Sequence, residues 1–549
     1  MSTQAHQADY AKQQALVGAL LNRHHFPHAA QNVRLIETHI SWVLLAGRYA
    51  YKIKKALDLG FLDFTSLEAR RFYCSEEIRL NRRLAPGIYL DVIPIGGNFD
   101  SPEFGAQPAI EYAVRMRRFS TAKQLDHLLV RGAVRPQHMD NLAAMLAVFH
   151  RGLPRAEADS DFGTPATIHA AAMQNFEQLL SLLTEPADRD SVSALRQSTG
   201  NAYAACEEYF KQRRAQGRVR ECHGDLHLGN IVLIGKQPVP FDGIDFNPAL
   251  RWIDVMDEVA FLVMDLLHGQ RLDLAYRFLN TYLEATGDFA GVTVLRFYLA
   301  YRAVVRAKVA AIRAFQAIPD GITDKPDHGR RVQMQALTAC RDYLTLATEC
   351  LATRRPALII TNGLPGSGKS TFAQIALERL QAIRIRSDVE RKRIFGMNPL
   401  EDSSARAGND IYSAEATRRT YTRLCELARE LLDAGFPVIV DAAFLKQEER
   451  KQFCALALDM SVPFAIASIQ ASTATLGERI TLRQDAANDA SEADLKVLEL
   501  LQATQQPLLP NELTRTVTFS NDGDQPNLFA DETSWEKLGG LLANCSRSN

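Results

Sequence analysis

Gly363-Leu364-Pro365-Gly366-Ser367-Gly368-Lys369-Ser370, followed by Thr371, is the stretch on which the reading of this 549-residue chain turns. It satisfies G-x-x-x-x-G-K-[ST] in full. Glycines let backbone N–H groups turn toward phosphate oxygens, a lysine sets a point charge near the β- and γ-phosphates, and a hydroxyl ligates Mg²⁺. An apolar run, ALIIT at 357–361, enters the loop, and a helix is predicted from Lys369 onward. Working outward, IRIRS, FPVIV, FAIASI and TVTFS read as strands alternating with helices, which predicts an α/β domain with a parallel sheet.

The same domain carries three further chemical groups. Asp388 closes the run IRIRSD, where a carboxylate orients or deprotonates an acceptor hydroxyl. Asp441 closes FPVIVD, the place for an acidic residue beside Mg²⁺, and Ser370 is its partner ligand. Arg479 and Arg483 lie four apart and share a helix face, as a lid over a transferring phosphate requires. Helix capping is the bland alternative for each aspartate, and a solvated basic face for the arginines. The loop, IRSD, VDAAF and ERITLR together resemble the small P-loop kinases that include polynucleotide kinase, zeta toxin and chloramphenicol phosphotransferase, over roughly residues 356–510. That resemblance implies transfer of the ATP γ-phosphate to a hydroxyl, with Asp388 as base.

Upstream, His223-Gly224-Asp225-Leu226-His227-Leu228-Gly229-Asn230 has the H-x-D-x-x-x-x-N spacing of a kinase catalytic loop. Asp225 is placed to take the acceptor proton and Asn230 to offer oxygen to Mg²⁺. FDGIDFN supplies two candidates for a second metal carboxylate, Asp242 and Asp245, which the spacing does not separate. Ala50-Tyr51-Lys52 has the A-x-K pattern of a phosphate-pairing strand lysine, with Lys54 on the same face in reserve. Glu77, with Glu68 second, is the expected helix carboxylate holding that lysine. HGDLHLGN, with IDFN and RWIDVMDEVAFL after it, resembles the aminoglycoside phosphotransferase/choline kinase family over roughly residues 30–310. The resemblance implies a two-lobed, protein-kinase-like α+β fold with ATP in the cleft. The glycine-rich loop of protein kinases is absent: Glu37-Thr38-His39-Ile40-Ser41 stands at the first strand turn.

These readings divide the chain at Thr353-Arg354-Arg355-Pro356. A kinase-like domain spans 1–352, with an N-lobe of about 30–118 and a C-lobe of about 119–352, and a P-loop domain spans 353–549. A helix is expected over 11–30. Fused chains of this kind are described as bifunctional phosphotransferase and ATP-binding proteins.

Bulk properties narrow the function further. Residues 1–354 carry 41 Lys+Arg against 38 Asp+Glu, and residues 355–549 carry 22 against 26, so neither half has the basic excess of a nucleic-acid coat. The eight cysteines are scattered without C-x-x-C spacing, which suggests reduced thiols rather than a disulfide or zinc framework. No signal-peptide pattern and no run of 18 apolar residues is present, and a cytoplasmic, soluble protein is expected. The expected activity is ATP- and Mg²⁺-dependent phosphotransfer to small-molecule hydroxyls. Two alternatives stand beside it: a regulatory nucleotide-binding half, or a P-loop half acting on nucleic-acid 5′-hydroxyls or nucleotide sugars. For the nucleic-acid case, Arg384, Arg386, Arg391, Lys392 and Arg393, with Arg418 and Arg419, are the candidate phosphate contacts. Arg296, Arg302, Arg306 and Lys308 hint at an anionic acceptor for the kinase-like domain. No membrane partner is expected, and oligomeric state is not legible.

Overall fold

The N-terminal sheet grows from short, β-branched and aromatic runs bounded by turn residues. In the computed structural model, which describes residues 3–30, 32–58, 60, 62–316, 326–352, 355–399, 401, 411–486, 494–522 and 529–543, packing divides the chain into two compact units. One comprises residues 1–189 and 203–265, the other residues 190–202 and 266–549. Spatial compactness therefore divides the chain at 265/266, whereas the parallel sheet begins only after residue 356.

In the first unit, β1 (Val33–Glu37), β2 (Ser41–Ala46), β3 (Tyr49–Lys54), β4 (Tyr89–Gly97), β5 (Pro102–Phe104) and β6 (Glu111–Arg117) form one sheet of order β1-β2-β3-β6-β4-β5. Every pairing is antiparallel. The helix Leu67–Asn81 lies between β3 and β4 in sequence. It starts where the Ser66 hydroxyl accepts the Ala69 N–H at 3.0 Å. The first helix is Thr3–Leu20 rather than 11–30. The chain then tightens into a short 3₁₀ turn, Arg23–His25, capped by Asn22, whose side chain accepts the His24 N–H. Asparagine prefers a cap to a helix interior. Leu16, Val17 and Leu20 pack with Trp42, Leu44, Tyr51 and Ile53 beneath one face of the sheet, and Lys52 stands on the other.

Further along are β7 (Val219–Glu221), the hairpin β8 (Ile231–Ile234) and β9 (Gln237–Pro240), and β10 (Trp252–Asp254), antiparallel to β7. The hairpin carries the chain from the histidine-led loop directly to Asp242.

The second unit holds β11 (Ala357–Asn362), β12 (Ile383–Arg386), β13 (Pro437–Asp441), β14 (Phe464–Gln470) and β15 (Thr516–Ser520). Their order is β12-β13-β11-β14-β15 and all four pairings are parallel, which matches the sequence expectation. Strands buried on both faces read as continuous apolar runs, and VIV and IASI show it. Phe372 stacks on Trp535 (centroids 5.3 Å apart) and packs against Phe519 and Phe529. Complete burial of one such aromatic stabilises by roughly 1.5–3 kcal/mol. This cluster fixes the helix that carries Lys369. No helix among the described residues is long and apolar enough to cross a membrane.

Candidate functional site

Two sites emerge, one in each unit. In the first, β3 alternation puts Lys52 and Lys54 on one face, and Glu77 comes up between them from the Leu67–Asn81 helix. Lys52 Nζ lies 2.9 Å from Glu77 Oε1 and 2.6 Å from Asp242 Oδ1. Lys54 Nζ lies 2.8 Å from Glu77 Oε2 and 2.5 Å from Asp245 Oδ2. One carboxylate thus bridges two ammoniums, and each ammonium takes one aspartate of FDGIDFN. Glu68, in the first turn of the same helix, is exposed, so Glu77 is the carboxylate of this network.

Exposure separates the two aspartates. The Asp242 side chain is 48% exposed and that of Asp245 6%. Asp242 sits in the left-handed region (φ 62°), a conformation that Asp tolerates better than most residues, and its N–H donates to the Tyr89 hydroxyl at 3.0 Å. Burial alone would lower the Lys52 ammonium, but Asp242 and Glu77 overcome it and hold the group well above its ordinary value. Burial would raise Glu77, and the two lysines outweigh it and bring it down. For Asp245 burial wins over Lys54, and its carboxyl is raised.

The catalytic-loop residues meet as their spacing implies. Asn230 Nδ2 donates to Asp225 Oδ2 at 2.8 Å and to the Asp225 carbonyl at 3.0 Å. His223 Nε2 lies 3.0 Å from the Phe241 carbonyl and its Nδ1 faces the Asp225 N–H at 3.4 Å. The tautomer that satisfies both is neutral with Nε2 protonated, and burial lowers the imidazole pKa in the same sense. Gly224 is left-handed (φ 84°), and a Cβ there would stand 2.6 Å from the Leu250 carbonyl oxygen.

Residues that motif reading missed hold this loop in place. Glu258 Oε2 accepts the backbone N–H groups of His223 and Gly224 at 2.7 and 2.8 Å, and its Oε1 meets His150 Nε2 at 2.9 Å. Burial raises this carboxyl, but His150 and the loop amides outweigh it and keep it low. Asp265 accepts the Leu228 N–H, and Asn81 bonds both backbone groups of Gly243. Glu258 and Asp265 carried no signal beyond their place in the run RWIDVMDEVAFLVMD, and His150 and Asn81 stand in no motif at all. His150, Cys222 and Glu258 lie close enough together to suggest a metal site. Burial pushes the Cys222 thiol well up, and both Glu258 oxygens already accept hydrogen bonds, so the donor set suits a hydrogen-bonded core better than a cation.

Where protein kinases carry a glycine-rich turn, the β1–β2 connection is tied by side chains. Thr38 Oγ1 accepts the Ser41 N–H at 3.0 Å, and Lys55 Nζ lies 2.6 Å from both Glu37 Oε1 and the Thr38 carbonyl.

In the second unit the loop 363–370 joins β11 to the helix Lys369–Leu380. Gly368 adopts φ 96°, and a Cβ on it would lie 2.1 Å from Asn521 Nδ2. Asn521, just past β15, donates to the Ser367 carbonyl at 2.6 Å and so clamps the loop from across the sheet. Lys369 Nζ donates to the Leu364 carbonyl at 2.9 Å. Leu364, Pro365, Gly366 and Thr371 complete the loop and its first helical turn. The Asp441 carboxylate accepts from the Ser370 hydroxyl; burial raises its pKa, partly opposed by Arg386 and Arg384. Three buried polar atoms here have no hydrogen-bond partner among the described residues: Ser367 Oγ, Asp441 Oδ2 and Asn521 Oδ1. Orphaned groups concentrated at one place are the mark of a site built for a polar ligand. Ser370 with Asp441, and Asn230 with Asp242 and Asp245, are sets of hard oxygen atoms of the kind Mg²⁺ takes.

Asp388 lies inside the first turn of the helix Ser387–Ile394 rather than at the strand end, with no hydrogen-bond partner among the described residues. Arg479 is on the helix Thr473–Ala486, whose Leu476 and Ile480 pack with Leu364 of the loop. Arg483 shares that helix, and its side chain lies outside the described residues.

The basic clusters read as candidate phosphate contacts have partners within the protein. Glu284 receives Arg384 at 2.9 Å and Arg386 at 3.0 Å, and Asn280 bonds the edge of β12 through the Arg384 N–H and the Ala382 carbonyl. Arg391 bonds the Ile411 carbonyl, Lys392 the Pro399 carbonyl, and Arg393 both Glu390 and the Glu284 carbonyl. Arg418 pairs with Glu415, and Arg419 lies over Phe395. Arg296 is likewise spent on structure: it donates to the carbonyls of Ala434 and Gly435 at a helix C-terminus and stacks on Phe436. Arg302 and Arg306 lie against Tyr301 and Tyr343, and burial lowers Lys308.

Comparison with known proteins bears on both sites. The model of the phosphotransferase enzyme family matches residues 110–298, and that of an AAA domain matches residues 358–508. The uncharacterized protein Rv2004c of Mycobacterium tuberculosis is 30% identical over 475 residues, covering 85% of this chain and 89% of its own length. Among solved structures, a choline/ethanolamine kinase family protein from Mesorhizobium loti is similar to this chain at 13% identity and TM-score 0.37, over 62% of this chain and 98% of that one. A gluconokinase from Sinorhizobium meliloti is similar at 19% identity and TM-score 0.24, over 36% and 94%.

Proposed function

The chain belongs to the family of that mycobacterial protein, a phosphotransferase-family domain followed by a P-loop domain resembling small kinases, and we propose that it is an ATP-dependent phosphotransferase with two nucleotide sites, each transferring the γ-phosphate to a small-molecule hydroxyl. The observation that carries this reading is the completeness of both residue sets. Lys52, Glu77, Asp225 and Asn230 are positioned in one unit, and the glycine loop with Lys369, Ser370 and Asp441 in the other.

In the first unit Lys52 steadies the α/β-phosphates while Asp225 takes the proton of the attacking hydroxyl. In the second, the loop amides and Lys369 hold the β/γ-phosphates and Asp388, with no side-chain partner to compete, takes the proton. At each site the new bond runs from acceptor oxygen to γ-phosphorus and the bond to the β–γ bridging oxygen breaks, releasing ADP. Mg²⁺, held by Asn230 with Asp242 or Asp245 and by Ser370 with Asp441, would neutralise charge on the phosphate oxygens. A small-molecule acceptor is favoured over nucleic acid because Arg384, Arg386 and Arg391 face protein carboxylates and carbonyls.

The test is transfer from γ-labelled ATP across a metabolite and RNA-end library, with wild type, Asp225→Ala and Lys369→Ala. Loss of one general base costs about 10²–10⁴ in rate. Each variant is expected to abolish one set of labelled products and spare the other. Loss of both sets in either variant would mean that one unit regulates the other.

A further inference from the structure

Several arginines in the first unit are matched by carboxylates: Arg70 pairs with Glu111, Arg79 and Arg83 with Glu221, Arg115 with Asp91, and Arg213 with Asp254. Four others gather around one concavity instead. Arg34, Arg48, Arg117 and Arg118 are exposed, form no ion pair among the described residues, and line a single cavity of about 710 Å³. No aspartate or glutamate lines it. Among the described residues the Arg118 side chain donates only to the Gly47 carbonyl, at 3.3 Å, and Arg48 lies over the Tyr49 ring. Four like charges around one concavity repel one another, and an anion is what relieves that.

Strand register locates the cavity. Arg34 stands opposite Leu45, which stands opposite Ala50; one step along, Ile36 faces Val43, which faces Lys52. Arg34, Ile36 and Leu45 therefore share the face that carries Lys52. Ala50 and Lys52 are two residues apart, roughly 7 Å along the strand. Arg48 lies in the β2–β3 turn, and Arg117, opposite Tyr49, comes to the end of β6 from the other face, so the arginines gather around the end of the sheet away from the β1–β2 connection. Ile36 and Leu45 give the cavity an apolar wall.

We propose that this arginine-rimmed cavity is a binding subsite for a multiply charged phosphate group, separate from the phosphates gripped at Lys52. The group is either a second phosphate carried by a nucleotide lying along the Lys52 face, or a free polyphosphate. Arginine, planar and bidentate, is the side chain suited to either.

Calorimetric titration of the full chain in a Lys369→Ala background, which weakens phosphate capture by the P-loop, tests this. The probes are tripolyphosphate and adenosine 3′,5′-bisphosphate, with AMP as control. Both phosphate probes are expected to bind more weakly as salt rises, and Arg34→Gln/Arg117→Gln is expected to weaken them at least about tenfold. Because both residues are exposed, the melting temperature should not move. Tighter binding of the bisphosphate, with competition by ATP, assigns the phosphate to a nucleotide; tripolyphosphate that leaves ATP in place assigns it to a free ligand. Absence of binding by both probes up to about 1 mM, or affinities unchanged by the double substitution, overturns the proposal. Phosphotransfer dependent on Asp225 is read separately, so failure here leaves the catalytic reading intact.

Discussion

The candidate phosphate site at residues 363–370 is built from backbone; the one proposed at Lys52 is built from side chains set among carboxylates. The P-loop needs a contiguous run with glycine at set positions, and a helix beginning at Lys369 supplies the amide field. The other site is assembled from β3, the Leu67–Asn81 helix, the histidine-led loop and the segment after β9. Its charges are held by one another: Glu77 is wholly buried between two ammoniums. The difference teaches where each site is fragile. The first depends on local backbone conformation, the second on charge balance across distant segments.

The largest expected effect tests that balance. Glu77→Ala leaves two lysines beneath the sheet face short of a counter-charge, and breaking such a buried set costs about 3–5 kcal/mol. Urea unfolding followed by hydrogen exchange in each unit should show the loss confined to residues 1–189 and 203–265. A loss below about 1 kcal/mol would mean that Asp242 and Asp245 suffice.

Next comes Gly368→Ala. Its left-handed backbone and the Asn521 amide 2.1 Å from the added Cβ predict a cost of about 2 kcal/mol, with weakened nucleotide binding in the second unit. Nucleotide binding equal to wild type would mean that the loop grips phosphate without the Asn521 clamp.

Glu284→Gln is smaller. It keeps the shape but removes the charge facing Arg384 and Arg386, for about 1 kcal/mol. Arg386, 3.9 Å from Asp441, then acts more fully on that carboxylate. The acid limb of P-loop activity should shift to lower pH. An unchanged pH profile, with only stability lost, would reduce Glu284 to a packing role.

The smallest effect is a difference of slope. Glu77 and Glu258 are depressed in the folded chain, so their stabilisation is present above the ordinary glutamate value of about 4.3 and is lost as pH falls below it toward their folded values. Asp441 is raised, so its protonation favours folding below that raised value and the advantage is lost as pH rises through it. Between about pH 5 and 3, exchange protection should therefore fall more steeply in the first unit than around β13. Equal slopes would contradict the contrast.

Much of the molecule was legible because its signals are local. The P-loop, HGDLHLGN and A-x-K each compress a site fragment into a few residues, and the three central parallel strands announced themselves as apolar runs, the two edge strands as alternating ones. Glu258 was not legible, because nothing in its neighbourhood distinguishes it from Asp257; only the turn of a helix decides which carboxylate reaches the loop amides. Asn521 lies more than 150 residues from the loop it clamps, and no spacing rule connects them. The basic clusters show the same limit: a run of arginines looks the same whether it faces solvent or, as Arg384 and Arg386 do, a glutamate a hundred residues away.

What the sequence determined by itself was the kind of chemistry, since a glycine turn before a lysine and a histidine-led Asp/Asn loop carry their geometry in their spacing. Tertiary structure alone decided which charges are answered and which are left over. It placed Glu77 between two lysines, matched Glu284 to two arginines, and left four arginines facing one cavity. Electrostatic pairing falls off with distance in space rather than along the chain, and folding sets that distance.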